Sequence, residues 1–213
     1  MTAEVEFFFD LSSPWTRIAF HNIQPIIQET GARIIWRPFL VGGVFNAVND
    51  TVYEGRANPD SPKNRNVYKW LKEWAKLADV SMNFPSRHHP LKAVTPMRFC
   101  CALAHDQHQL HRFCTAAFEA YFGEKRNLDD PETLVTIATE CGLDGRAILD
   151  RSKSEEIKAA LRTNTQEAID RGAFGSPMIF VNRSFIYFGN DQIPLVRQRI
   201  LAELIESAPI SIG

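Results

Sequence analysis

Val5-Glu6-Phe7-Phe8-Phe9-Asp10-Leu11-Ser12-Ser13-Pro14 is an apolar run that ends in a polar turn and a Ser-Pro pair. It predicts a strand over 5–9, a turn over 10–14 and an amphipathic helix over 15–30 that stops at Gly31. A serine before proline starts a helix well: the hydroxyl accepts an orphan backbone N–H, and proline presets the first helical dihedral. The same geometry makes a site, because backbone N–H groups and the positive end of the helix dipole favour an anion such as a thiolate beside the hydroxyl. No Cys-x-x-Cys stands at this turn. A thiol oxidoreductase would place one there, so the chemistry points to a borrowed thiol. From the residues alone the plain reading of Ser13 is a cap, and Ser12 could then be the hydroxyl that faces a ligand.

Composition narrows the partners. The chain has 213 residues, 45% of them hydrophobic, enough for one domain or a domain with a large insertion around a real core. With 24 basic and 25 acidic residues the net charge is −1, which gives no global field to draw nucleic acid or anionic lipid. The expected partner is small. No basic, apolar and small-residue series opens the chain, and no apolar run reaches membrane-spanning length, so a cytoplasmic location is expected. Cys100, Cys101, Cys114 and Cys141 lack metal-type or redox-type spacing and read as reduced, mostly packed thiols. His105, His108 and His111 with Cys101 recur at helical spacing but drift around the helix, and nothing closes a ligand set; no metal site is expected.

The periodicities change in an informative order. A second strand over 33–39 completes a right-handed βαβ opening. A loop over 53–66 and a helix over 67–77 with Trp70, Leu71 and Trp74 on one face follow, then polar loop over 81–90. Helices are expected over 96–104, 110–122 and 131–141, the last capped by Asp130 and stopped at Gly142, with a short one over 145–149. Another runs from a Ser154 cap to Gly172. Strands over 178–181 and 184–188, joined by a tight Asn182-Arg183 turn, form an antiparallel hairpin, and a last helix covers 194–207. The fold class is therefore α/β: a thioredoxin-like βαβ…ββα fold split by an α-helical insertion. Residues 1–40 and 172–213 would form the thioredoxin-like domain and 41–171 the helical insertion with its connecting helix.

Four segments in this order make the chain resemble the DsbA-like branch that holds kappa-class glutathione transferases and 2-hydroxychromene-2-carboxylate isomerases. They are Phe9-Asp10-Leu11-Ser12-Ser13-Pro14, Arg37-Pro38-Phe39-Leu40-Val41-Gly42-Gly43-Val44-Phe45, Gly172-Ala173-Phe174-Gly175-Ser176-Pro177 and Phe188-Gly189-Asn190-Asp191. The resemblance implies that Ser13, directly before proline, is the catalytic serine, with glutathione as cofactor. It implies a cis Pro177, with the Ser176 backbone pairing the cysteinyl unit of glutathione within reach of the Ser13 hydroxyl. It implies that Asn190 and Asp191 hold the γ-glutamyl group, that Lys63 meets the glycyl carboxylate and that Asn49, in preference to Asp50, matches a family asparagine. Asn46 and Gln192 depart from residues common in the family. Arg98 is a candidate for a substrate carboxylate, and Phe45, Trp15 and Tyr53 for an aromatic cleft.

The activity so implied is glutathione-dependent isomerisation of an aromatic-degradation intermediate, 2-hydroxychromene-2-carboxylate to trans-o-hydroxybenzylidenepyruvate, by a homodimer. A kappa-class transferase conjugating electrophiles would use the same site. A non-catalytic thioredoxin-like binding protein is the reading from a different class.

Overall fold

The opening strand is almost wholly buried, which is why its run of phenylalanines is tolerated. In the computed structural model, which describes residues 2–53, 58 and 60–206, β1 (Glu4–Phe9) lies inside a four-stranded sheet of order β2-β1-β3-β4. β2 (Arg33–Pro38) runs parallel to β1, while β3 (Met178–Val181) and β4 (Phe185–Phe188) complete the sheet antiparallel. The hairpin between them turns through Asn182, Arg183 and Ser184, with Val181 paired to Phe185, so the strand expected from 184 begins one residue later; Asn182 and Arg183 take positive φ (46° and 64°). Phe8 stands opposite Met178 and Phe9 opposite Pro38, so the end of β1 meets the start of β3.

The first helix differs from the single run expected over 15–30. It divides into α1 (Pro14–Asn22) and α2 (Gln24–Thr30). Pro25 has no N–H to donate and its ring collides with the carbonyl four residues back, so the helix restarts there. Gly31 closes α2 at φ 64°, the left-handed position glycine takes without strain. After β2 come α3 (Val41–Val48) and α4 (Pro62–Leu77). The loop expected over 53–66 is thus cut short: Ser61 caps Asn64 N at 3.2 Å and Pro62 opens the helix, the same Ser-Pro start as at Ser13. Trp70 also departs from expectation. It is exposed, whereas Leu71 and Ala75 are buried with Ile18 and Trp74 packs against them, because neighbouring helical positions lie about 100° apart.

The insertion continues with α5 (Val94–Leu103), α6 (Gln107–Phe118), a π-helical turn Glu119–Gly123, α7 (Pro131–Glu140), α8 (Gly145–Ser152) and α9 (Glu155–Asp170). A 3-10 turn, Asn190–Gln192, leads into α10 (Ile193–Glu206). The expected end of the last helix at 207, the tail beyond it and residues 54–57 and 59 of the expected loop lie outside the described residues. One buried cluster runs from Phe7 and Phe9 on β1 through Phe20 and Trp36 to Phe113, Phe118 and Leu134 of the insertion, so sheet and helices share a core.

An ion network ties α9 to the sheet. Glu6, buried on β1, accepts from Arg37 (2.8 Å) and Arg171 (2.6 Å), and Glu167 accepts from the same two guanidinium groups. Arg171 also lies 3.8 Å from the ring centroid of Phe180, which adds a cation–π contact to the charge pairing.

Candidate active site

Ser13 and Ser176 meet across the top of the sheet. The Ser13 hydroxyl accepts from Thr16 N at 3.2 Å, so it is the cap of α1, and it donates to the Ser176 carbonyl at 3.0 Å. Ser176 in turn is anchored by its side chain: its Oγ accepts from Asp10 N at 3.1 Å and shares a 2.8 Å hydrogen bond with Thr16 Oγ1. The Ser176–Pro177 peptide is cis. Gly175 precedes it because a Cβ there would stand 2.4 Å from the Phe188 ring.

Asp10 holds the turn together. Fully buried, its carboxylate accepts from Ser12 N and Val41 N, both at 2.9 Å, and so joins the end of β1 to the start of α3. Sequence reasoning treated Asp10 as a turn residue and passed over Thr16. The local signal for Asp10 was its place two residues before a backbone N–H, the Asx-turn spacing; nothing local marked Val41 as its second partner.

The other expected residues divide. Asn190 is buried beside α1: its Oδ1 accepts from Asn22 Nδ2 at 2.8 Å, and among the described residues its Nδ2 has no partner. A buried amide donor without a partner is unusual in a folded protein. Asp191 is exposed next to it, with Oδ2 accepting from Gln192 Nε2 at 3.0 Å. Among the described residues these side-chain bonds go to Asn22 and Gln192 rather than to the backbone of the last helix. Asn49 reaches the segment before Ser176, where its Nδ2 donates to the Phe174 carbonyl at 2.9 Å. Lys63 is exposed in the first turn of α4 rather than in a loop, and among the described residues it makes no contact with the serine pair.

The three aromatics expected near a cleft have these neighbours. Phe45 and Tyr53 meet edge to face at 6.4 Å on α3 and the segment after it, while Trp15 packs on the Ile18–Leu71 cluster. Arg98 lies near Glu155 and helps to lower that carboxyl's pKa, after the larger effect of Lys158. The histidines diverge as their spacing implies: His105 Nδ1 faces the Ala102 carbonyl, while His111 stacks on Phe20 and Trp36. Among the described residues no three His, Cys, Asp or Glu side chains could hold a metal ion. All four cysteines are free. Burial raises the Cys100 thiol well above its ordinary pKa and pushes Cys101 up to about 12, so neither is a nucleophile near neutrality.

A serine at the start of the first helix and a cis proline facing it define a thioredoxin-fold site without its own thiol. Residues 4–201 match the DSBA-like thioredoxin domain, and the chain belongs to that family. It is 27% identical over 207 residues to a 2-hydroxychromene-2-carboxylate isomerase of Sphingobium xenophagum, covering 94% of this chain and 100% of that one. With glutathione S-transferase kappa 1 of Rattus norvegicus the identity is 22% over 205 residues, covering 90% and 88%. A solved structure of a 2-hydroxychromene-2-carboxylate isomerase superposes with a TM-score of 0.80 at 22% identity over 98% of this chain and 99% of that one. Among the described residues no helix is long and apolar enough to cross a membrane.

Proposed function

We propose that the groove at Ser13 binds glutathione and serves a glutathione-dependent isomerisation of the 2-hydroxychromene-2-carboxylate to trans-o-hydroxybenzylidenepyruvate type. The observation that carries this reading is the 3.0 Å bond from the Ser13 hydroxyl to the Ser176 carbonyl, at the positive end of α1. Bound glutathione would supply a thiol that adds to an activated double bond, permits rotation about the resulting single bond, and leaves again unchanged.

The protein's part follows from hydrogen counting. A serine hydroxyl has one proton to give, and Ser13 gives it to Ser176 O. Ser176 O has two lone pairs, so it can also accept a peptide N–H as in strand addition, and a thiolate at the helix start is the stronger acceptor toward which the Ser13 proton would turn. Thr16 N continues to hold the hydroxyl oxygen in place. The α1 N-terminus adds its dipole, and both effects favour the ionised sulfur. The open Asn190 Nδ2 and the exposed Asp191 carboxylate suit an α-carboxylate and an ammonium respectively. In this reading Pro177 shapes the groove floor, Asn49 steadies the Phe174 carbonyl, and Lys63 meets the glycyl carboxylate. Residues 1–40 and 172–213 carry the groove, 41–171 walls it, and the active form is a homodimer in the cytoplasm.

The kappa-class relatives support a second reading, conjugation of an electrophile in the same groove. Incubation with 2-hydroxychromene-2-carboxylate, followed by its absorbance with and without glutathione, tests both. Conversion that needs the thiol without consuming it supports isomerisation. Stoichiometric thiol loss with an activated aryl halide, and no isomerisation, favours the transferase. Glutathione binding without turnover leaves a binding protein.

A further inference from the structure

One deep cleft contains none of Ser13, Ser176 or Asn190. It encloses about 900 Å³ between α1, α6 and the 79–81 segment, within the roughly 300–1,000 Å³ usual for small-molecule sites. Phe20, Val80, Ala116 and Phe118 give it apolar walls. The His111 ring, stacked on Phe20 at 5.2 Å with the planes 15° apart, completes one side. Its Nε2 is buried and, among the described residues, has no hydrogen-bond partner, which a finished protein interior seldom leaves. Burial, then the charge of His108, hold His111 below its ordinary pKa, so this wall is uncharged at neutral pH.

Most of the charged lining is already paired. Of its carboxylates, Glu119 is committed to Arg17 and Glu140 to Arg126. Asp79 remains. On the basic side His21 projects from α1, and His108 and Arg112, one turn apart, from the facing α6; among the described residues their side chains make no hydrogen bond or ion pair. An apolar, partly aromatic slot with the unpaired Arg112 guanidinium and two imidazoles at its edge suits a flat anion better than a peptide or a sugar. We propose that this cleft is a second ligand site, separate from the Ser13 groove, for a planar aromatic carboxylate of one or two rings. The ring lies among Phe20, Val80 and Phe118, and the carboxylate meets Arg112 with His108 or His21. The site does not depend on glutathione binding at Ser13.

Titration of the full chain with 2-naphthoate, followed by backbone amide shifts and calorimetry, tests the assignment. Shifts at 20–24, 79–81 and 108–119 are expected to move along one saturating isotherm, unchanged by S-methylglutathione or by Ser13→Ala. Arg112→Gln, at an exposed position, should weaken binding about tenfold, the scale of one charge-assisted hydrogen bond. Ala116→Trp should abolish it; where that variant misfolds, Arg112→Gln carries the test. Absence of saturation at millimolar naphthoate, or shifts confined to the surroundings of residues 13 and 176, would overturn the site. Equal affinity for neutral 2-naphthamide would overturn the carboxylate specificity.

Discussion

Ser13→Ala removes one oxygen with three duties: it caps Thr16 N, ties α1 to Ser176 O, and in the proposed mechanism faces the thiolate. Loss of the cap costs about 0.5–2 kcal/mol. The lost bond to a carbonyl adds about 0.5–1.5 kcal/mol, because the hydroxyl is only half-buried. The sum, about 1–3.5 kcal/mol, leaves a chain of ordinary stability folded at 25 °C. At roughly 2–4 °C per kcal/mol for this size, Tm should fall by about 2–14 °C. The rate should fall much further, by about 10²–10³ in kcat, as when one preorganised donor to a developing anion is deleted. The assay is the pH dependence of glutathione-dependent isomerisation in Ser13→Ala, Ser13→Thr and Ser12→Ala. Without the donor the bound thiol ionises at higher pH, so the alanine variant should recover rate in alkali, while Ser13→Thr keeps most activity. A folded Ser13→Ala enzyme with the parent's rate and pH profile would refute the reasoning. Loss of activity in Ser12→Ala instead would move the role to the neighbouring hydroxyl.

Asp10→Ala should be more damaging to stability than Ser13→Ala, by about 2–6 kcal/mol in urea denaturation, because it strands two N–H donors at about 1–3 kcal/mol each. A loss below about 1 kcal/mol would show that water or another acceptor replaces the carboxylate. Iodoacetamide at neutral pH should label Cys141 slowly and leave Cys100, Cys101 and Cys114 untouched until denaturation, since burial raises the first two thiols and only Cys141 is partly exposed; peptide mass spectrometry reads the result, and early label at Cys100 would contradict it. At Glu167 burial pushes the carboxyl pKa up, but hydrogen bonds and charge from Arg37, then Arg171, outweigh it and hold it below its ordinary value. Its stabilising contribution is therefore complete above the unfolded pKa of about 4.3 and is lost as the pH falls toward the folded value. Urea midpoints across pH 3–6, on the order of the usual carboxylate range, should drop less steeply in Glu167→Gln than in the parent; parallel curves would argue that the network carries no linkage.

The sequence by itself determined the element order, the sheet's mixed sense and the Ser-Pro helix start. These rest on interactions within about four residues, such as a cap and a helical or alternating period, and on the right hand of a βαβ crossover. Two departures from the expected elements also have local causes: Pro25 splits the first helix, and Ser61-Pro62 starts α4 inside a stretch of loop-like composition. The family resemblance placed Ser176, Asn190 and Asp191 near one groove, but their partners were decided by the tertiary structure. Asp10 is satisfied by Val41, Asn22 holds Asn190, and the Ser13 proton goes to a carbonyl 163 residues away. The cleft beside His111 is of the same kind, since its walls come from helices that a sequence window never shows together. Hydrogen bonds and cavities depend on distances of a few ångströms between remote segments, and those are set only when the shared core fixes how the insertion packs on α1 and the sheet.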